Sequence, residues 1–152
     1  MFLWRISNHI NLDGLGGERA DGRWHTAEEG KRIVYLAEHP ALALVETLVN
    51  LRGKPEQAPE AFQLIKLTTE DLIPLDVLGL NSLAANWREN LDETRFIGDS
   101  WLKQRTSALL AVPSAPSPES TNYLLNPLHP EAKQIVMLWH KHIAYDKRLF
   151  RI

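Results

Sequence analysis

The stretch Pro40-Ala41-Leu42-Ala43-Leu44-Val45-Glu46-Thr47-Leu48-Val49 constrains this chain more than any other. Pro40 suits the first helical position, where its missing N–H would have no partner in any case. The residues behind it are mostly helix formers, so a helix is expected from Pro40 to Arg52. It is apolar on nearly every side, which marks a helix covered by protein. One ionisable side chain interrupts it, Glu46. A carboxylate in that setting is costly unless a cation or hydrogen-bond donors meet it. Pairing with Arg32 or Arg52 would make Glu46 a structural ion pair. Donors arriving from distant strands would instead make it part of a cleft.

Composition removes several classes. A chain of 152 residues fits one domain with a substantial core. There is no cysteine, so disulfides, thiolate nucleophiles and cysteine-based zinc sites are excluded. The net charge of −2 lacks the basic excess of a phosphate-backbone binder, and no direct nucleic-acid contact is expected. No apolar run reaches the length of a membrane span. Met1-Phe2-Leu3-Trp4-Arg5 lacks the features of a signal peptide, so the expected compartment is the cytoplasm.

Read in order, Phe2 to Ile6 is a strand with Arg5 near its end. Asn8 to Glu29 is glycine-rich with no regular period and reads as one long functional loop, closed by Arg23-Trp24. Ile33 to Leu36 is a buried strand carrying Tyr35. After a polar link from Gly53 to Ala58 come a strand at Phe62 to Leu67 and an extended piece at Asp71 to Asp76. Helical character follows over Ser82 to Asn90 and Thr94 to Gln104. Ala108 to Val112 is a buried strand ended by Pro113, with Ser114 where the chain leaves the sheet. Asn122 to Leu125 and Gln134 to Trp139 are the last strands. Short strands with a few helices define an α+β domain with a mixed or antiparallel sheet.

Around Glu46, four stations carry chemistry: Arg5, Arg23-Trp24, Tyr35 and Ser114. Arginine with glutamate can clamp a phosphate or ribose, and Tyr35 and Trp24 offer aromatic faces for a flat ring. The set suits a nucleotide. Each residue also has a plainer role, in core, turn or strand edge. Gly14-Leu15-Gly16-Gly17 does not match the dinucleotide fingerprint, no P-loop lysine motif is present, and Ser114 lacks a nucleophile elbow. His140 and His142 would share a strand face, but no third ligand is evident and no metal is expected. His129, between prolines, fixes a turn.

Taken in order, these stations resemble the RES-domain family, the toxins of RES–Xre toxin–antitoxin systems. The matching pieces are Trp4-Arg5, Gly22-Arg23-Trp24, Val34-Tyr35-Leu36-Ala37, Glu46, Gly98-Asp99-Ser100-Trp101, Val112-Pro113-Ser114 and the run from Asn122 to Pro130. One departure is His25, where the family often has asparagine. The resemblance implies an ADP-ribosyltransferase-like domain with a split sheet around an NAD cleft. It further implies cleavage of the nicotinamide–ribose bond of NAD⁺ by hydrolysis or phosphorolysis. In that reading Glu46, Arg5 and Tyr35 are catalytic, and Arg23, Trp24, Ser114 and Asn126 join them in binding NAD⁺, which is substrate rather than a resident cofactor. Transfer of ADP-ribose to a protein is the alternative, and a silent antitoxin-binding module the second. The implied partner is an Xre-type helix-turn-helix antitoxin whose C-terminal part covers the cleft, and a homodimer is compatible with it.

Overall fold

The computed structural model describes residues 1–51 and 59–150. The expected link from Gly53 to Ala58, and Arg52 as a partner for Glu46, lie outside the described residues. In chain order the elements are β1 (Phe2–Ile6), α1 (Leu15–Arg19), β2 (Val34–Ala37), α2 (Pro40–Asn50), β3 (Ala61–Thr68) and β4 (Leu75–Val77). They continue with α3 (Leu91–Gln104), β5 (Leu109–Pro113), β6 (Thr121–Leu125) and β7 (Val136–Ala144). The strands form one mixed sheet in the order β4-β5-β6-β2-β1-β3-β7, in which only β4 and β5 run parallel.

That sheet is nearly two sheets. β1 pairs with β3 over five residues, whereas β1 meets β2 through the single pair Trp4 and Ala37. Beyond it the two strands part, and this parting is the split expected of the fold. Strand alternation puts Tyr35, Ala37, Leu110, Val112, Asn122 and Leu124 on one face of the larger half. α2 packs on that face through Leu42 and Ala43 beside Ala37, and α3 through Trp101 and Leu102 beside Leu110, Val112 and Leu124. The opposite face buries Leu3, Val34, Leu36, Ile65, Leu67, Leu109 and Leu125.

Several boundaries differ from expectation. α2 opens as predicted, with Pro40 in its first turn and the His39 ring accepting from the Ala41 N–H, but it stops at Asn50. The glycine-rich loop contains a helix, α1, whose sequence Leu15-Gly16-Gly17-Glu18-Arg19 has poor intrinsic propensity. Tertiary contacts hold it: Asp13 accepts from the Leu15 N–H, Glu18 pairs with Arg32, and Gly17 lies against Ile33. Ser82 to Asn90 is not a helix. It is a 3₁₀ turn at Leu80–Ser82 followed by irregular turns that bury Trp87. Residues 71–74 are likewise turn rather than strand. The last strand starts two residues late, because Pro130–Gln134 form a 3₁₀ turn capped by His129, and it then runs on to Ala144. His140 and His142 do share its face, at the exposed edge of the sheet. No group of three or more metal-ligating side chains exists among the described residues.

Candidate active site

A cleft of about 740 Å³ lies between α2 and the Gly22–His25 arm, above β2 and β6. Its walls include Arg23, Tyr35, Glu46, Asn50, Arg88 and Asn122. A second chamber of about 440 Å³ opens where β1 and β2 part, bounded by Arg5, Ile6, Val34, Leu36 and Thr47. Ile33, Tyr35, Glu46, Asn50 and Asn122 border both chambers. Glu46 therefore stands on the divide.

Glu46 is half-buried, and neither Arg32 nor any other cation hydrogen-bonds it among the described residues. Arg32 is engaged by Glu18. Two neutral donors meet the Glu46 carboxylate instead. Ser114 Oγ and Asn122 Nδ2 each donate to Oε1 at 2.7 Å. Ser114 is fully buried at the end of β5 and in turn accepts from the Ser117 N–H, so the turn Pro113-Ser114-Ala115-Pro116 aims one hydroxyl at one oxygen. Fixing Oε1 from two strands sets the rotamer of the carboxylate, and no described residue hydrogen-bonds Oε2.

Arg23 enters from the opposite wall. Its guanidinium donates to the Arg88 carbonyl at 3.0 Å. Burial lowers its pKa, Glu46 raises it, and Arg95 and Arg88 lower it again, leaving it below the usual arginine value; Arg23 lines the cleft together with Glu46 and a second cation, Arg88. The arm bearing Arg23 is gripped by one face of α3. Thr94 Oγ1 donates to the Arg23 carbonyl at 2.6 Å, Arg95 Nε to the Gly22 carbonyl at 2.9 Å, and the Thr26 N–H donates to Asp99. Gly98 lies directly against the Trp24 carbonyl, where a methyl group would overlap it. The Gly98-Asp99-Ser100-Trp101 motif is thus a clamp for the arm and not a wall of the cleft.

The expected site residues separate. Glu46, Tyr35, Arg23 and, through Glu46, Ser114 come together at the main cleft, and Arg5 lines the second chamber. Arg5 donates to the Asn11 carbonyl at 3.0 Å; burial lowers its pKa and Asp13 partly restores it. The two arginines are therefore not one clamp. Trp24 borders the cleft but is 2 % exposed and packs with Trp87 at 6.1 Å between ring centroids, so it is core rather than a free stacking face. Asn126 is outside the cleft altogether; buried, it accepts from the Leu128 N–H and shapes the turn before His129. The sequence reading passed over Asn122, Arg88 and Asn50. Asn122 had a signal, as an amide side chain two residues before the apolar pair Leu124-Leu125 in one short strand.

The arrangement is a cleft with arginines in its walls and one positioned carboxylate at the junction of two chambers. The RES domain family matches residues 2–147, and the chain belongs to that family. A relative named Toxin Res from Pseudomonas putida (strain KT2440) is 39 % identical over 150 residues, covering 99 % of this chain and 100 % of the relative. A Prs ADP-ribosylating toxin from Sphingobium sp. (strain YBL2) is 34 % identical over 157 residues, covering 98 % and 96 %. The fold is shared with a chain in the crystal structure of the M. tuberculosis MbcT–MbcA toxin–antitoxin complex. The TM-score is 0.71 at 16 % identity, over 98 % of this chain and 86 % of the other.

Proposed function

We propose that this protein is the toxin of a toxin–antitoxin pair and that it cleaves the nicotinamide–ribose bond of NAD⁺. The observation that carries the reading is Glu46, held through one oxygen by Ser114 and Asn122 at the meeting point of two chambers. Breaking a glycosidic bond of this kind builds positive charge on the ribose, and a fixed carboxylate is the group that stabilises it. In hydrolysis the C1′–N bond breaks with its electron pair passing to the nicotinamide nitrogen. Water oxygen bonds to C1′, and one proton leaves through Glu46 or solvent. Because nicotinamide departs from a cationic state, no strong general acid is needed. Arg23 and Arg88 supply cations for the pyrophosphate. Tyr35 supplies a ring at the divide.

The test is nicotinamide release from NAD⁺ by wild type and Glu46→Gln. Wild type should release it, and the variant should lose at least ~10²-fold, the scale of one transition-state contact. Equal rates would sink the proposal. Transfer of ADP-ribose to a protein is the second reading, favoured by the name of the Sphingobium relative. NAD⁺ labelled in the adenosine half separates the two: label on a protein band means transfer, and free labelled product means cleavage. An antitoxin covering the cleft is the partner we propose, on the toxin–antitoxin context of the structural neighbour. The Xre resemblance makes it the DNA-contacting member.

A further inference from the structure

One buried titratable group at the cleft has no part in the reaction above, His25. It is 3 % exposed. Its Nε2 lies 3.0 Å from the Gly17 carbonyl and its Nδ1 lies 2.7 Å from the Tyr35 hydroxyl. A carbonyl oxygen only accepts, so Nε2 carries the proton and Nδ1 is left as an acceptor. The Tyr35 hydroxyl must then donate to Nδ1. The same hydroxyl accepts from the Trp24 N–H at 3.1 Å, and the Gly22 N–H donates to the His25 carbonyl at 3.1 Å. The single proton of Tyr35 is thereby committed away from any substrate.

We propose that His25 is a positioning residue: as the neutral Nε2–H tautomer it fixes the Tyr35 hydroxyl, and through the Trp24 N–H it registers the Gly22–Trp24 arm that carries Arg23. Protonating His25 turns Nδ1 into a donor. The hydroxyl would then face two N–H donors, with its own proton pushed to a new acceptor. There is no slack for this, because a single methyl group on Gly22 would already overlap both the hydroxyl and the imidazole. The charged groups that act on Tyr35 are Arg23 on the arm and Arg95 and Asp99 from α3, and Glu46 borders the same two chambers. None of them hydrogen-bonds the imidazole. Without an acceptor at Nδ1 the arm is therefore loosened and substrate binding weakened. The kinetic part of this inference rests on the proposed NAD⁺ cleavage; the tautomer and the arm do not.

The experiment has an arm without substrate and an arm with it. Long-range ¹H–¹⁵N spectra of the free protein should show His25 protonated at Nε2 alone near pH 7.5. The Trp24 amide signal should shift in His25→Phe, which offers the Tyr35 hydroxyl no acceptor. His25→Phe should raise KM about tenfold with a smaller change in kcat, the pattern of lost ground-state binding. A proton on Nδ1 in the free protein, or a KM for NAD⁺ that His25→Phe leaves unchanged, overturns the inference. Expected spectra from a protein that does not cleave NAD⁺ would overturn the reaction and leave the role of His25 standing.

Discussion

At Glu46 the structure chooses between two ways of keeping a carboxylate in an apolar helix. Two neutral donors hold one oxygen, and the cation opposite is not in hydrogen-bond contact with it. This arrangement leaves the charge uncancelled and available to a substrate, which a direct ion pair would not. Ser114 is the residue through which it can be probed. Ser114→Ala removes a donor from a fully buried position, and we expect a loss of about 1–2 kcal/mol of stability. For a chain of this size that lowers Tm by roughly 2–8 °C by calorimetry. Nicotinamide release should fall by more than the stability loss explains, because Glu46 is freed to turn; full activity at a lowered Tm would make Ser114 merely structural. Chemical type was legible here: an acid, two arginines and a tyrosine were found from the sequence. Which oxygen binds which donor was not, since Asn122 and Ser114 lie 76 and 68 residues from Glu46 and only the sheet brings them near.

The helix α3 contributes no wall to the main cleft, yet the arm depends on it. Residues 94, 95, 98 and 99 fall on adjoining helical positions, so one face of α3 meets the chain at Gly22, Arg23, Trp24 and Thr26. Gly98→Ala drives a methyl group into the Trp24 carbonyl, a backbone atom that cannot step aside as a side chain would. A loss of about 3 kcal/mol is expected in thermal unfolding, with NAD⁺ cleavage impaired in whatever remains folded. Asp99 adds a pH dependence. Burial alone would raise its pKa, but the Thr26 N–H and the Lys31 ammonium more than offset this, and it lies below the usual carboxylate range. A depressed folded-state pKa stabilises fully above the unfolded value of about 3.9 and is lost as pH falls through the folded one. The stability gap between wild type and Asp99→Asn should hold steady from pH 7 to about 5 and close below about 4. A gap independent of pH would assign the effect to packing. The helices α2 and α3 were visible from local pattern, whereas α1 was not, because its two glycines argue against a helix that only Ile33, Arg32 and Asp13 make worthwhile.

For the molecule as a whole, the α+β class and most strands could be read from apolar runs bounded by turns. The order β4-β5-β6-β2-β1-β3-β7 could not, because pairing is decided by which faces bury together. What that order achieves is to place the end of β5, the start of β6 and the body of β2 beneath α2, so that Ser114, Asn122 and Tyr35 converge under one helix. The single pair joining β1 to β2 has a consequence for motion. Two rafts of hydrogen bonds, each internally well knitted, are stitched by one cross-link, and opening along that line breaks far fewer bonds than unfolding either raft. Amide exchange should therefore be faster for Trp4 and Ala37 than for Leu109 to Val112 in the free protein. Filling the cleft should slow the first pair, since a ligand touching Arg5, Tyr35 and Glu46 bridges both rafts; equal protection would deny the sheet a separate opening. The place where this chain holds least tightly to itself is where it has most to gain from holding something else.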